Sequence, residues 1–287
     1  MLVLLIVAGA VGGVVTYRGA QSLQRQVAAD FSAGQRDLEN GRTLLTTATT
    51  ARSVPDLQRA DAEFTAAQGH FRAASQRMTN STLVRRGGDV PALGSYLQPR
   101  VTAVTQLSAA GAALAVAAQA VAVIEGRLIS PPAGASAPAQ LASALQQSTP
   151  DLAGIQTQLR HAQADLKQVP PGVLPSGDQA TVQRLRTIVD SGVKGIAELQ
   201  TLLPVLLEVF GMNGPRTYLI EQVNPAELRA GGGFIGSIGV LQANDGAFKL
   251  QLSEGTEVSD YPRPTSGQPG YIAPPGPLQQ FVGDKGW

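Results

Sequence analysis

The feature that most constrains this chain is a set of long rows in which apolar or small residues recur at alternating steps of three and four. Such rows keep one face of a helix against a partner over many turns, as in helical bundles and coiled coils. The three best rows are Leu57, Ala60, Phe64, Ala67, Phe71, Ala74 and Met78; Val104, Leu107, Gly111, Leu114, Ala118 and Val121; and Val182, Leu185, Val189, Gly192, Ile196, Leu199, Leu203 and Leu206. They predict long helices across residues 18–211.

Small residues in the rows indicate how these helices pack. Aromatic residues make up only 5% of the chain, whereas Gly and Ala at the seams let helix backbones approach closely. We therefore expect an antiparallel bundle or stalk over residues 18–211, with a first helix carrying the row Leu23, Val27, Phe31, Gly34, Leu38 and Leu45. Proline-rich linkers are expected near 130–138 and 169–177, and helix starts at Ser53, with Pro55, and at Thr149 as a cap before Pro150.

An uncharged apolar run opens the chain at residues 2–15, LVLLIVAGAVGGVV. Its length falls between that of a signal-peptide core and that of a full membrane span. No convincing small-x-small cleavage site accompanies it, and helical periodicity begins directly afterwards, from Leu23. These observations favour a retained transmembrane anchor at residues 1–17 over a cleaved signal or a buried core helix. The expected location is the cell membrane, single-pass, with the lipid bilayer as a partner and the bulk of the chain extracytoplasmic.

Charge and side-chain chemistry exclude several classes of function. The net charge is +1 and charged residues make up 15%, so no basic surface for nucleic acid is expected. The chain has no cysteine, which excludes disulfides, thiolate nucleophiles and Cys-ligated zinc. Its two histidines, His70 and His161, stand far apart and are expected to be solvated surface residues. No metal site and no cofactor is predicted from these residues.

The composition changes after Pro215, where a smaller β-containing domain is predicted over residues 212–287. Residues 217–223 (TYLIEQV) and 234–243 (FIGSIGVLQA) are typical of strands. Between them, Asn224, Pro225 and Glu227 fit the cap, first and third positions of a short helix. An Asn244-Asp245-Gly246 turn leads into a third strand with alternating apolar residues. The expected fold class is α+β.

A glycine pattern in this domain matches the dinucleotide-binding fingerprint G-x-G-x-x-G at Gly231, Gly233 and Gly236. That fingerprint needs a strand before the glycines and a helix opening from them. Here the glycines precede a strand, so a dinucleotide site is not expected.

Residues 213–241 (NGPRTYLIEQVNPAELRAGGGFIGSIGVL) resemble the domain-of-unknown-function family 4012 of bacterial membrane-anchored extracytoplasmic proteins. The matching positions are Asn224, Ala226, Glu227, Arg229, Gly232, Gly233, Phe234, Ile235, Gly236, Asp245 and Gly246. Gly231 departs from the pattern, since the family often carries Thr there. The resemblance implies an N-terminal anchor, an Ala-rich helical region and a Gly-rich domain that runs on past residue 287, so that this domain is expected to be partial.

Two functions from different classes are compatible with the sequence. The first is a structural or interaction module of the cell envelope that contacts glycan or protein. The alternative is an envelope glycopolymer phosphotransferase loosely like the LytR-CpsA-Psr family, acting with Mg²⁺ on a lipid-linked glycopolymer. In that alternative Arg229 and the amides of residues 231–233 bind a lipid pyrophosphate. The candidate functional motif is Asn224, Glu227, Arg229, Gly232, Gly233 and Asp260, while the oligomeric state stays open.

Overall fold

The computed structural model describes residues 17–88, 91–130, 134, 136–174, 176–227, 233–256 and 264–282. The predicted anchor lies outside the described residues except for Tyr17. The helices are α1 (Tyr17–Ala51), α2 (Val54–Asn80), α3 (Thr82–Gly88), α4 (Pro91–Ile129), α5 (Ala137–Gln147), α6 (Thr149–Gln168), α7 (Ser176–Val209) and α8 (Gly276–Val282); the strands are β1 (Arg216–Asn224), β2 (Phe234–Asn244) and β3 (Ala247–Gly255). The predicted α+β class is confirmed. The chain divides into a helical unit up to Leu207 and a second unit from Glu208.

Helices α1 and α2 form an antiparallel pair in which phenylalanine rings of α2 meet glycines of α1. A Cβ added at Gly41 would lie 2.5 Å from the Phe64 ring, and one at Gly34 would lie 3.1 Å from the Phe71 ring. The later phenylalanine contacts the earlier glycine, so the two helices run in opposite directions. Arg77 extends the same register by bonding Asp30 at 2.5 Å.

The same reversal repeats at each further pair of long helices. Between α2 and α4, the Phe71 ring also covers Gly111, and Gln119 donates to Thr65. The contacts between α4 and α6 are Gln106 to Gln168 and Arg127 to Asp151. Those between α6 and α7 are Gln163 to Asp190 and Arg186 to the Leu166 carbonyl. The described part of the helical unit is therefore an up-down-up-down-up arrangement of five long helices, with α3 and α5 as short connecting helices.

The predicted seam of α2 is confirmed residue by residue. Its buried residues are Leu57, Ala60, Phe64, Ala67, Phe71, Ala74 and Met78, none more than 6% exposed. The row on α4 identifies only some of the buried residues of this helix, because α4 has neighbours on several sides. Ala110, Ala113 and Ala115 are buried as well as Val104 and Gly111.

The row predicted on α7 is wrong at two positions in its second half. Leu199 and Leu206 are 37% and 39% exposed, whereas Leu203 and Leu207 are buried. An α-helix has 3.6 residues per turn, so a row with a mean spacing of 3.5 drifts around its surface. After Leu203 the buried position has moved by one residue, from the predicted Leu206 to Leu207. The helix continues through Pro204 to Val209.

Of the two predicted helix starts, the one at Ser53 is found and the one at Thr149 is shifted by one residue. Ser53 is the N-cap of α2, where its hydroxyl accepts a bond from the Asp56 amide, as predicted. Thr149 is not the cap of α6 but its first helical residue. The preceding Ser148 is turned inward, where it donates to the Ala144 carbonyl and accepts from Arg127.

One described helix is long and apolar enough to cross a membrane by length and composition, namely α4 over Gly94–Ile129. In the bundle this stretch packs between α2 and α6 through the contacts given above, which also accounts for its apolar composition. The finding is weak evidence for a span, and it falls in the middle of the chain rather than at its start.

The second unit contains an antiparallel sheet in the order β1-β2-β3. The β2–β3 hairpin turns at Asp245 and Gly246, whose φ angles are +48° and +73°. Both values lie in the left-handed region that an Asp-Gly type I′ turn uses, so the predicted hairpin is found. Several apolar side chains of β1 and β3 are open to solvent, including Leu219 at 64% and Leu250 at 54%, whereas most of β2 is half-buried.

Candidate functional site

Two residues of the predicted motif, Asn224 and Glu227, form a turn at the end of β1. The Asn224 Oδ1 accepts a hydrogen bond from the Ala226 amide at 3.1 Å, and its Nδ2 donates to Glu227 Oε1 at 3.3 Å. The Glu227 amide reaches the Asn224 carbonyl at 3.4 Å. These bonds close an Asx-type turn. Described residues 225–227 are turn and bend rather than helix. Residues 228–230, where the predicted short helix would continue, lie outside the described residues.

Gly233, a third residue of the motif, lies against this turn at the start of β2. A Cβ at this position would lie 2.5 Å from Val223 Cγ1 and 2.8 Å from the Asn224 carbonyl oxygen. Asn224 pairs with Phe234 in the ladder, which brings the two strand ends together. Close backbone approach therefore explains this glycine without a ligand. The structure brings Asn224, Glu227 and Gly233 to one end of the sheet.

The other members of the motif, Arg229, Gly232 and Asp260, lie outside the described residues, as does Gly231. The described residues therefore do not test a pyrophosphate-binding site at these positions. Among the described residues no group of three or more His, Asp or Glu side chains could hold a metal ion.

The opposite end of the sheet contains an arrangement that the sequence interpretation missed. The turn of the β2–β3 hairpin caps the end of α7, since the amides of Asp245 and Gly246 donate to the carbonyls of Gly211 and Phe210 at 3.2 and 2.9 Å. Phe210 and Gly211 directly follow α7, and the Gly211 carbonyl also accepts a bond from the Gly214 amide at 3.3 Å. The turn therefore holds the two residues that directly follow the helix.

Side chains reinforce this helix cap. The Tyr218 hydroxyl donates to the Val209 carbonyl at 2.9 Å, and the rings of Phe210 and Phe248 meet edge to face with centroids 5.7 Å apart. Gly211 has φ +68°, and a Cβ there would collide with the Ala243 carbonyl. The adjacent Phe210-Gly211 pair and the Asp-Gly turn were the available sequence signals, but nothing in their spacing indicated that they meet.

Comparison with known protein families gives a match within the second unit. Residues 213–285 match the family model described as Protein of unknown function (DUF4012). The DUF4012 match includes all three strands and both turns described above, so the resemblance predicted from residues 213–241 is confirmed. It does not extend to the helical bundle. No curated protein and no solved structure matches the chain.

The DUF4012 description assigns no activity, and the described motif residues have structural explanations of their own. Asn224 and Glu227 close a turn, Gly233 permits close strand contact, and Asp245 and Gly246 form a hairpin that caps a helix. The described part of the motif therefore accounts for how this unit is built, and a function has to be inferred from the architecture of the chain.

Proposed function

We propose that this protein is a membrane-anchored, extracytoplasmic spacer of the cell envelope that presents its DUF4012 region for contacts with envelope glycan or protein. The observation that carries the proposal is the odd number of long antiparallel helices counted from Tyr17. An odd number makes the chain enter the bundle at one end and leave it at the other. An even number would return the chain to the end where it started.

The length of the helices sets the reach of such a spacer. Helix α1 has 35 residues and α7 has 34, so each spans about 50 Å at 1.5 Å per residue. The apolar run at residues 2–15 directly precedes α1. With that run in a bilayer, the far end of the helical unit would lie about 50 Å from the membrane surface. Membrane attachment and export are parts of the proposal.

The helix parity is tested by spin-label distances, which are convenient because the chain has no native cysteine. The exposed residues Ser22, Thr50 and Thr201 are changed to Cys in two pairs that share Thr201. From the helix registers, Thr50 lies near the same end as Thr201, whereas Ser22 lies near the other end. We expect the Ser22–Thr201 pair to be about 40 Å apart and at least about 15 Å longer than the Thr50–Thr201 pair. Equal or reversed distances would overturn the spacer proposal.

The membrane setting is tested with a reporter enzyme fused after Trp287 in cells. Activity of the reporter outside the cytoplasm, with the protein in the membrane fraction, is the expected result. A second fusion lacking residues 1–17 is the control and is expected to stay inside the cell. A full-length fusion that is accessible only from the cytoplasm would contradict the envelope assignment.

A further inference from the structure

A groove of about 380 Å³ runs along the outside of the helical unit, with α4 as its floor and α2 and α6 as its walls. The floor consists of Ala109, Ala112, Ala113 and Val116. These short side chains leave a smooth apolar strip between the two walls. The volume falls within the range of pockets that take small molecules.

The walls of the groove carry polar side chains on both sides. Gln68 and Arg72 come from α2, and Gln158, His161 and Asp165 come from α6. Within the described part of the chain, none of these five side chains makes a hydrogen bond or an ion pair to another protein group. The neighbouring polar residues behave differently, since Gln119 bonds Thr65 and Gln163 bonds Asp190.

The helix registers place opposite charges across the groove. Phe71 packs on Gly111, and the contacts between α4 and α6 place Asp165 near the level of Gly111 as well. Arg72 and Asp165 therefore stand at about the same height on opposite walls, and they form no ion pair with one another. Gln68, Gln158 and His161 follow within the next turns.

The chemistry of this lining selects a class of ligand. The amides of Gln68 and Gln158 each donate and accept hydrogen bonds, and so does an imidazole ring in its neutral form, which matches hydroxyl groups that also donate and accept. The opposite charges of Arg72 and Asp165 cancel, so a strongly anionic or cationic ligand gains no net attraction. The alanine floor fits a flat ligand with an apolar face.

We propose that the groove between α2 and α6 binds an uncharged saccharide, with the amides of Gln68 and Gln158 and the charged groups of Arg72 and Asp165 bonding its hydroxyls over the alanine floor. This inference goes beyond the spacer proposal, because it assigns a ligand site to the bundle itself. The distance measurements report on helix parity and saccharide titration reports on the groove, so either proposal can fail alone.

The test uses the full-length protein in lauryldimethylamine oxide, a detergent without a sugar headgroup. Saturation-transfer NMR is recorded with cellotriose, chitotriose, maltotriose and mannotriose up to their solubility limits, and calorimetry gives affinities for any that bind. Inorganic phosphate is the anionic comparison. We expect saturation transfer to at least one trisaccharide. Adding phosphate is expected to leave that signal unchanged.

Matched variants locate the binding. Gln68→Ala, Gln158→Ala and Arg72→Ala remove groove side chains, and each is expected to weaken binding about two- to tenfold, as for the loss of one hydrogen bond. Gln58→Ala and Arg160→Ala remove exposed side chains of the same types from α2 and α6 outside the groove lining, and they are expected to leave affinity unchanged. Circular dichroism checks that all five variants keep the wild-type fold.

Three results would overturn the proposal. The first is the absence of binding to every trisaccharide. The second is binding that the groove variants and the control variants weaken equally, which would place the saccharide elsewhere. The third is phosphate binding that Arg72→Ala abolishes while no saccharide binds, which would make the groove an anion site.

Discussion

The helical unit and the sheet of the second unit bury apolar side chains to very different degrees. In α2 the seven buried seam residues are at most 6% exposed, whereas Leu219 of β1 and Leu250 of β3 are 64% and 54% exposed. Each phenylalanine of α2 faces glycine on a neighbouring helix.

This contrast indicates where stability and adaptability reside in the chain. The helices of the bundle bury one another's apolar side chains. Contacts within the bundle therefore fix the register and the direction of each long helix. The described sheet leaves apolar side chains of β1 and β3 accessible. It contacts residues 209–211 through the hairpin turn, the Tyr218 hydroxyl and the Phe210–Phe248 ring pair. The following predictions test that difference, beginning with the largest expected effect.

Phe71→Ala should be the most damaging single substitution. Phe71 is 2% exposed, fills the space over Gly34 and Gly111, and meets Phe31 edge to face at 5.1 Å. Truncating a buried phenylalanine costs about 3–5 kcal/mol of unfolding free energy. Urea unfolding followed by circular dichroism at the helix band would measure it. The matched control is Phe248→Ala, whose ring is 39% exposed. An equal loss in both variants would remove the contrast between the two units.

Gly211→Ala should disrupt the attachment of the hairpin to the end of α7. Alanine at φ +68° is strained, and its Cβ would collide with the Ala243 carbonyl. We expect a local loss of about 2–3 kcal/mol. Hydrogen exchange at the Asp245 and Gly246 amides should then accelerate by about thirtyfold or more. Gly214→Ala is the control, since φ is also positive there but nothing lies near its Cβ. Unchanged exchange in Gly211→Ala would show that the turn holds without this close contact.

Gly41→Ala and Gly69→Ala should change stability in opposite directions. Both glycines are helical, and replacing glycine by alanine gains about 1 kcal/mol of helix propensity. At Gly69 nothing lies within 4 Å of the added Cβ, so the gain should be realised. At Gly41 the Cβ would lie 2.5 Å from the Phe64 ring, and overpacking of about 1–3 kcal/mol should exceed the gain. Thermal unfolding of both variants tests the prediction, and stabilisation by Gly41→Ala would show that the α1–α2 seam can relax.

Asp165→Asn should give the smallest effect and one that depends on pH. Burial raises the pKa of Asp165 above its ordinary value of 3.8, and attraction to His161 offsets part of the rise. The folded state therefore disfavours the charged carboxylate. Stability from this group is fully present below about pH 3.8 and is lost as the pH rises through the folded-state pKa. At neutral pH we expect Asp165→Asn to stabilise the bundle slightly, by less than about 0.5 kcal/mol.

The melting temperatures of Asp165→Asn and wild type should converge in acid, where both side chains are neutral. Glu198→Gln, a change to an exposed carboxylate on α7, is the control for a general charge effect. A difference that grows toward low pH would show that Asp165 is stabilised, not disfavoured, in its charged form.

Periodicity predicted the helices well because residues spaced three and four apart lie on the same face of a helix, so a buried face appears directly in the sequence. The seam of α2 was found completely, since it faces glycines over a short, regular stretch. The end of the α7 row failed at Leu199 and Leu206, where helical drift changes the buried side and no local residue signals it.

The candidate site was less predictable because its contacts join distant parts of the sequence. The Asp245-Gly246 turn could be predicted from two adjacent residues, but its bonds to Phe210 and Gly211 depend on where the helix end lies. The groove involves residues of α2, α4 and α6 that only the bundle registers bring together. His161 had been expected to be a plain surface residue, and its exposure agrees with that, although it also lines the groove.

The up-down-up-down-up order restricts how such a molecule can change size during evolution. Gaining or losing one helical hairpin makes the bundle thicker or thinner, but the chain still enters and leaves the bundle at opposite ends. Gaining or losing a single helix would turn the exit back toward the entry. The number of long helices therefore sets the end at which the chain leaves the bundle, whereas the lengths of α1 and α7 set how far that exit lies from the entry.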